Sequence, residues 1–171
     1  MINLLRERRS IRKFEPKRVE KEKTDLLKKA ALLAPSSRSL YPLEFIFIEN
    51  KELIEKLSQS KSHGSSFLKG APLAVVVIGD ETKSDVWIED GSIATIITQL
   101  QAEDLGLKSC WIQIRLRQKD ESISSEDYIK ELLEIPKSFK VLSIIAIGYP
   151  DETKTAYKEE DLNFNAVRTI E

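Results

Sequence analysis

Residues Arg6 to Phe14 read RERRSIRKF, four arginines and a lysine in nine residues with Ser10 in their midst. The chain as a whole has a formal net charge of -1, so this local density asks for an anionic partner rather than reflecting general basicity. In an extended segment side chains alternate faces, and Arg8, Ser10 and Arg12 project the same way. In a helix Arg8 and Arg12 stand four apart and again share a face. Either geometry brings two guanidinium forks and a hydroxyl to one small volume, which suits a phosphate monoester. A solvated basic arm is the competing reading of the same residues, and the rest of the chain has to separate the two.

At 171 residues the chain has the size of one domain and can bury about 70% of its unfolded surface. A hydrophobic fraction of 41% and a charged fraction of 32% describe a soluble globular protein. The single cysteine, Cys110, excludes an intramolecular disulfide and an all-cysteine metal site. Its apolar and aromatic neighbours favour a buried structural thiol over a nucleophile. The single histidine, His63, excludes a two-histidine metal site within one chain, and no metal is expected. The N-terminus is charged from Arg6 onward, without the apolar core of a secretory signal. No apolar run reaches membrane-spanning length, so a reducing cytoplasm is the expected setting and no membrane the expected partner.

Beyond Pro16 the pattern from Val19 to Leu33 is helical, with Leu26, Leu27, Ala30, Ala31 and Leu33 opposite lysines and glutamates. Pro35 stops that helix, and Ser36, Ser37 and Ser39 form a polar loop closed by Pro42. LEFIFI (43–48) reads as a strand, and Asn50 as the N-cap of a short helix from Lys51 to about Leu57. The polar stretch Gln59 to Gly70 reads as a loop leading to Pro72 and LAVVVIG (73–79), a continuous apolar run suited to a strand buried on both faces. The longest helix is expected from about Ser84 to Leu105. Its centre (Ile93, Ala94, Ile96, Ile97, Leu100) is apolar round much of its circumference, so this domain or a partner must enclose it. Gly106 caps it, and KSCWIQI (108–114) follows as a strand. Ser124 or Ser125 caps a helix through Leu133 that Pro136 stops. Val141 to Ile147 is the last strand. The final twenty residues lack periodicity and apolar anchors, a tail that frays unless it lies across something. There is no GxGxxG and no GxxxxGK[ST], hence no support for a dinucleotide-binding Rossmann unit or a P-loop.

Other stretches have two readings each. APSSRSLYP (34–42) could offer hydroxyls and backbone donors to a heterocycle, but Pro-Ser-Ser is also ordinary turn chemistry after a helix. Glu89 and Asp90 in WIEDG could handle protons, but acidic residues near a helix start also suit the macrodipole. Trp111 could flank a planar ligand or simply fill a core. His63 lies in a polar loop and could touch a substrate. For each of these the structural reading is the stronger. Their order along the chain says more than any one of them.

In that order the sequence resembles the FMN-dependent nitroreductases. The elements that carry the resemblance are RRSIRKF (8–14), APSS (34–37) followed by Pro42, and GAPLAVVV (70–77). WIEDGSIA (87–94), LGLKSCWI (105–112) and LLEIPKSFKVLSIIAIGYP (132–150) follow, then EEDLNF (159–164) and VR (167–168). The resemblance implies an α+β, nitroreductase-like fold: a central, mainly antiparallel sheet wrapped by helices, in an intertwined homodimer. The whole chain, 1–171, would be one such domain, with the tail from about 150 to 171 reaching over the partner subunit. It further implies that Arg8, Arg9, Ser10 and Arg12 hold the phosphate, ribityl chain and pyrimidine edge of FMN. Pro35, Ser36, Ser37 and Ser39 would touch or border the isoalloxazine from the other subunit. Ile112, Gln113 and Ile114 would line the flavin near N5, and Lys154, Lys158 or Arg168 would complete the phosphate site. Where the family often has Asn-x-Gln-Pro-Trp after APSS, this chain has Ser39, Tyr41, Pro42 and Leu43, which removes two amides from the flavin's surroundings.

The activity so implied is an FMN-dependent NAD(P)H oxidoreductase. Hydride passes from NADH or NADPH to flavin N5, and a nitroaromatic, quinone or related flat acceptor is then reduced. The cofactor carries the chemistry, so no side chain need be a catalytic acid or base. A flavin-binding protein for storage or sensing is the first alternative. A nucleic-acid or anion-binding module built on the basic arm is the second, and the near-neutral net charge argues against it.

Overall fold

The computed structural model describes residues 1–171, with four strands and five α-helices. The strands are β1 (Leu43–Ile48), β2 (Leu73–Asp80), β3 (Lys108–Gln113) and β4 (Phe139–Gly148). They form one sheet in the order β1-β2-β4-β3, and every pairing is antiparallel. The helices are α1 (Ile2–Glu7), α2 (Lys21–Leu32), α3 (Lys51–Leu57), α4 (Trp87–Asp104) and α5 (Ser125–Leu132). No helix is long and apolar enough to cross a membrane.

Strand β2 is central, and all eight of its residues are buried. Its side chains divide by the two-residue period. Ala74, Val76 and Ile78 enter a core with α3, α5 and the 3-10 turn Ser66–Gly70, while Leu73, Val75 and Val77 enter a second core with α2 and α4. In β4 the alternation slips at Leu142. Val77 faces Ser143, but Ile78 faces Val141, and this bulge puts Leu142 in the core of Ile145 and Ile147 and Val141 in that of Ile144 and Ala146, the reverse of strict alternation.

Local chemistry explains most boundaries. Asn50 Oδ1 accepts from Leu53 N at 3.0 Å and caps α3, and Ser124 Oγ accepts from Asp127 N at 2.9 Å and caps α5. After α4, Gly106 has φ +73, and Leu107 N–H reaches back to Ala102 O at 2.9 Å, a left-handed stop that glycine takes without strain. The same six-residue closure ends α5, where Ile135 N–H bonds Lys130 O at 2.9 Å, but there Glu134 occupies the left-handed position at φ +55.

Within this chain, helix α4 is enclosed on one face only. Its inward face consists of small and polar residues (Gly91, Ala94, Thr95, Thr98, Gln99, Ala102), whereas Ile93 and Ile96 remain 40% and 37% exposed. Close approach to the sheet requires this, since a Cβ on Gly91 would stand 2.6 Å from Leu142 Cδ2. Helix α1 was not among the expected elements. The tail after Tyr157 is exposed throughout and contains two single 3-10 turns, Glu159–Asp161 and Phe164–Ala166.

Candidate functional site

Of the two geometries open to RERRSIRKF, the extended one is observed. Helix α1 ends at Glu7, and Ser10 forms a parallel bridge with Ser109 through Ile11 N–H to Ser109 O at 3.1 Å. Ile11 and Phe14 are buried on one side of the segment. The segment returning from β4 lies alongside: Glu15 N–H donates to Tyr149 O and Asp151 N–H to Lys13 O, each at 2.9 Å. That pairing carries Lys154 to Ser10, whose carbonyl accepts from Lys154 Nζ. Next to the Ser10–Ser109 bridge lies the buried thiol of Cys110. Burial pushes that thiol upward, while Arg12, a Ser10 hydrogen bond, Lys154 and Arg8 pull against it. A thiol so held is a structural group rather than a nucleophile.

The cations of this cluster make no ion pair. Arg6 is paired with Glu159 at 3.1 Å and Arg18 with Glu49 at 2.5 Å, whereas Arg8, Arg12 and Lys154 form no ion pair. The one nearby acid, Glu152, uses its carboxylate on the backbone. It accepts from Arg12 N and Lys13 N, and the first of these bonds does most to hold its carboxyl below the ordinary range. Arg9 alternates to another surface, where it bonds Thr155 O and covers the Tyr157 ring at 4.3 Å. Lys158 pairs with Glu160 at 3.2 Å on the exposed tail, and Arg168 is exposed there too. Of the three basic residues expected from the C-terminal region, Lys154 alone bonds the segment.

Strand β3 is an edge strand, covered on its outer side only where Ser10 pairs with Ser109. From Trp111 to Gln113 that edge faces no strand, leaving backbone groups free to bond a ligand's rim. The expectation for Ile112, Gln113 and Ile114 therefore changes at the level of side chains. Ile112 and Ile114 are buried in the core, and the Ile114 backbone is already bonded to Leu142 O and Arg117 N. The Gln113 amide is committed at both ends, accepting from Trp111 Nε1 and donating to Arg115 O, each at 3.0 Å.

The loop after α2 is anchored by a residue that sequence reasoning assigned to the macrodipole alone. Asp90, buried in the first turn of α4, accepts from Ser36 Oγ at 2.7 Å and from Ser37 N at 3.1 Å. Ser36 Oγ also accepts from Tyr41 N at 2.9 Å, so its hydroxyl both donates and accepts. Arg38 pairs with Asp85. Arg38, Ser39 and Tyr41 adopt φ of +52, +53 and +46, an accumulation of left-handed residues that local sequence does not favour. Pro35 and Ser39 are exposed, Ser36 and Ser37 half-buried. His63 is exposed in its loop. A serine-rich loop with a buried acid in a following helix was the available signal for Asp90, but only the fold shows that they meet.

Comparison with known proteins finds relatives over nearly the whole chain. The Nitroreductase family matches the chain at residues 5–64 and 58–149. The solved structure of an FMN-dependent nitroreductase from Clostridium difficile R20291 superimposes with a TM-score of 0.97 at 52% identity, over 99% of this chain and 98% of that one. A protein of Archaeoglobus fulgidus, provisionally named NADH dehydrogenase/NAD(P)H nitroreductase, is 33% identical over 98% of this chain and 94% of its own length. The FMN reductase [NAD(P)H] of Bacillus subtilis is 27% identical over 88% of this chain and 66% of its own.

Proposed function

Since the chain belongs to the nitroreductase family, we propose that it is an FMN-dependent NAD(P)H oxidoreductase that reduces flat organic acceptors such as nitroaromatics or quinones. The observation that carries this reading is the Lys154 bond to Ser10 O, which sets a third cation on the segment of Arg8 and Arg12, none of the three in an ion pair, beside the edge of β3. A dianionic phosphate fits the first feature and a planar ring with a hydrogen-bonding rim the second. When bound, FMN supplies the hydride-accepting chemistry between the nicotinamide and the acceptor. The chain's own residues bind and orient. Arg8, Arg12 and Lys154 hold the phosphate with Ser10, and the positive charge of this side favours negative charge on the pyrimidine edge. The backbone of Trp111 to Gln113 meets the ring's rim. No side chain has to move a proton.

The same reading includes a homodimer. Ile93 and Ile96 on α4, with Leu162, Phe164, Val167 and Ile170 on the tail, expose apolar surface that a second copy would cover. The Pro35 to Ser39 loop would then serve the partner's flavin, with the tail crossing the partner subunit.

The test is the visible spectrum of the purified protein and its bleaching by NADH or NADPH without oxygen. The double variant Arg8→Ala/Arg12→Ala should lose FMN while keeping the parent's elution volume and circular dichroism. Unchanged FMN content would overturn the phosphate assignment. A yellow protein that neither nucleotide bleaches would instead favour flavin storage or sensing.

A further inference from the structure

A second concentration of charge lies where β3 ends. Ile114 N–H and Arg115 N–H both donate to Leu142 O, at 3.1 and 3.0 Å, which fixes the chain at the β4 bulge. The next residue, Leu116, is 76% exposed at φ +59. On either side of it, Arg115 and Arg117 both line one cleft of about 370 Å³. Trp87, Ile88 and Leu116 form its apolar wall.

The acids of this cleft are already engaged. Lys140 lies between Glu81 and Glu126 at 3.4 and 3.5 Å, and Glu126 also accepts from Val141 N at 3.1 Å. Arg115 and Arg117 form no ion pair, and the one side-chain hydrogen bond of Arg117 is to Leu116 O at 3.3 Å. Lys61 adds a third unpaired cation. Its loop touches the cleft's far side through Ser62 N–H to Gln118 O, and burial and the Arg117 charge together lower its amine. Lys140 holds both carboxylates of the cleft away from Arg115 and Arg117, so the excess positive charge on that side, with Lys61 beyond it, favours an anion there. The cleft adjoins the free edge of β3, because Gln113 itself bonds Arg115 O.

We propose that Arg115 and Arg117 form an anion-recognition subsite beside the redox centre, selecting a redox partner that carries a carboxylate or phosphate. Two sources have this chemistry, the 2′-phosphate of NADPH and an acidic group on the acceptor. The inference rests on the oxidoreductase reading above for the meaning of the partner, but not for the existence of the subsite.

The experiment compares parent and Arg115→Gln/Arg117→Gln protein, FMN-loaded, with two matched pairs: NADPH against NADH, and 4-nitrobenzoate against 4-nitrobenzamide. The double variant should lose tenfold or more in kcat/KM for the charged member of one pair, chiefly through KM, with its uncharged counterpart within twofold. The pair that responds identifies the source. Charged-to-uncharged ratios unchanged in both pairs would overturn the proposal. Quenching of tryptophan emission by the two nitro compounds provides a readout that needs no turnover, since Trp87 lines the cleft. If neither nucleotide reduces the protein, the oxidoreductase reading fails. Tighter binding of 4-nitrobenzoate that the double variant abolishes still upholds the subsite, and equal binding of both compounds by the parent overturns it.

Discussion

Asp90 offers the sharpest test of how the loop after α2 is held. Asp90→Ala removes an acceptor shared by Ser36 Oγ at 2.7 Å and Ser37 N at 3.1 Å. Hydrogen bonds to a charged group are worth about 1.5–3 kcal/mol each, so two sealed from water would cost about 3–6 kcal/mol. Ser36 and Ser37 are half-buried, and water recovers part of the loss, which brings the expectation to about 2–3 kcal/mol. With a urea slope of about 2 kcal/mol/M, the midpoint should fall by about 1 M. The assay is urea unfolding followed by circular dichroism, with Glu89→Ala as the control. Glu89 lies in the same helical turn but is exposed and makes no comparable bond. If the macrodipole alone explained these acids, both substitutions would cost the same, about 0.3–1 kcal/mol. A loss for Asp90→Ala within about 0.5 kcal/mol of the Glu89→Ala loss would therefore refute the anchoring argument. The loop borders the proposed ring site, so FMN affinity should fall in Asp90→Ala and not in the control.

Two further outcomes follow from local geometry. Glu134→Gly places glycine at the left-handed stop of α5, where φ is +55, and should raise stability by about 0.5–1 kcal/mol in the same urea assay; a fall would show that the Glu134 side chain makes a compensating contribution. Tyr149 Oη donates to Glu20 Oε2 at 2.6 Å, and this bond is the main cause that lowers the Glu20 carboxyl from 4.5 to about 2. A depressed carboxyl stabilises the fold above its unfolded value, and that contribution is lost as pH falls from 4.5 toward 2. Tyr149→Phe should return the Glu20 titration, followed by carboxyl-carbon NMR, toward its ordinary value and flatten stability across that window; an unmoved titration would show that Lys17 and the backbone suffice.

Elements that announce themselves by short-range chemistry were legible. Asn50 and Ser124 cap helices because a side-chain oxygen reaches an amide three residues on, and Gly106 stops α4 because it tolerates a positive φ. The apolar run of β2 could only be a strand covered on both faces. Long-range choices were not legible. Lys154 and Lys158 look alike in sequence, yet pairing of 149–151 with 13–15 carries Lys154 to Ser10 and leaves Lys158 on the tail. The apolar centre of α4 suggested enclosure, but periodicity does not say that its small residues face the sheet and its isoleucines face outward.

RERRSIRKF by itself determined that two guanidinium groups would share a face, because alternation and helical spacing both place Arg8 and Arg12 together, whereas Ser10 joins them only in the extended form. The tertiary structure alone decided what that face adjoins. The Ser10–Ser109 bridge laid the segment on the edge of β3, Glu152 was drawn to backbone amides, and Lys154 came in beside the arginines without an ion pair of its own. Those contacts join residues about a hundred or more positions apart, and no local preference encodes them. They exist because burying both faces of one sheet leaves the chain this path across its end.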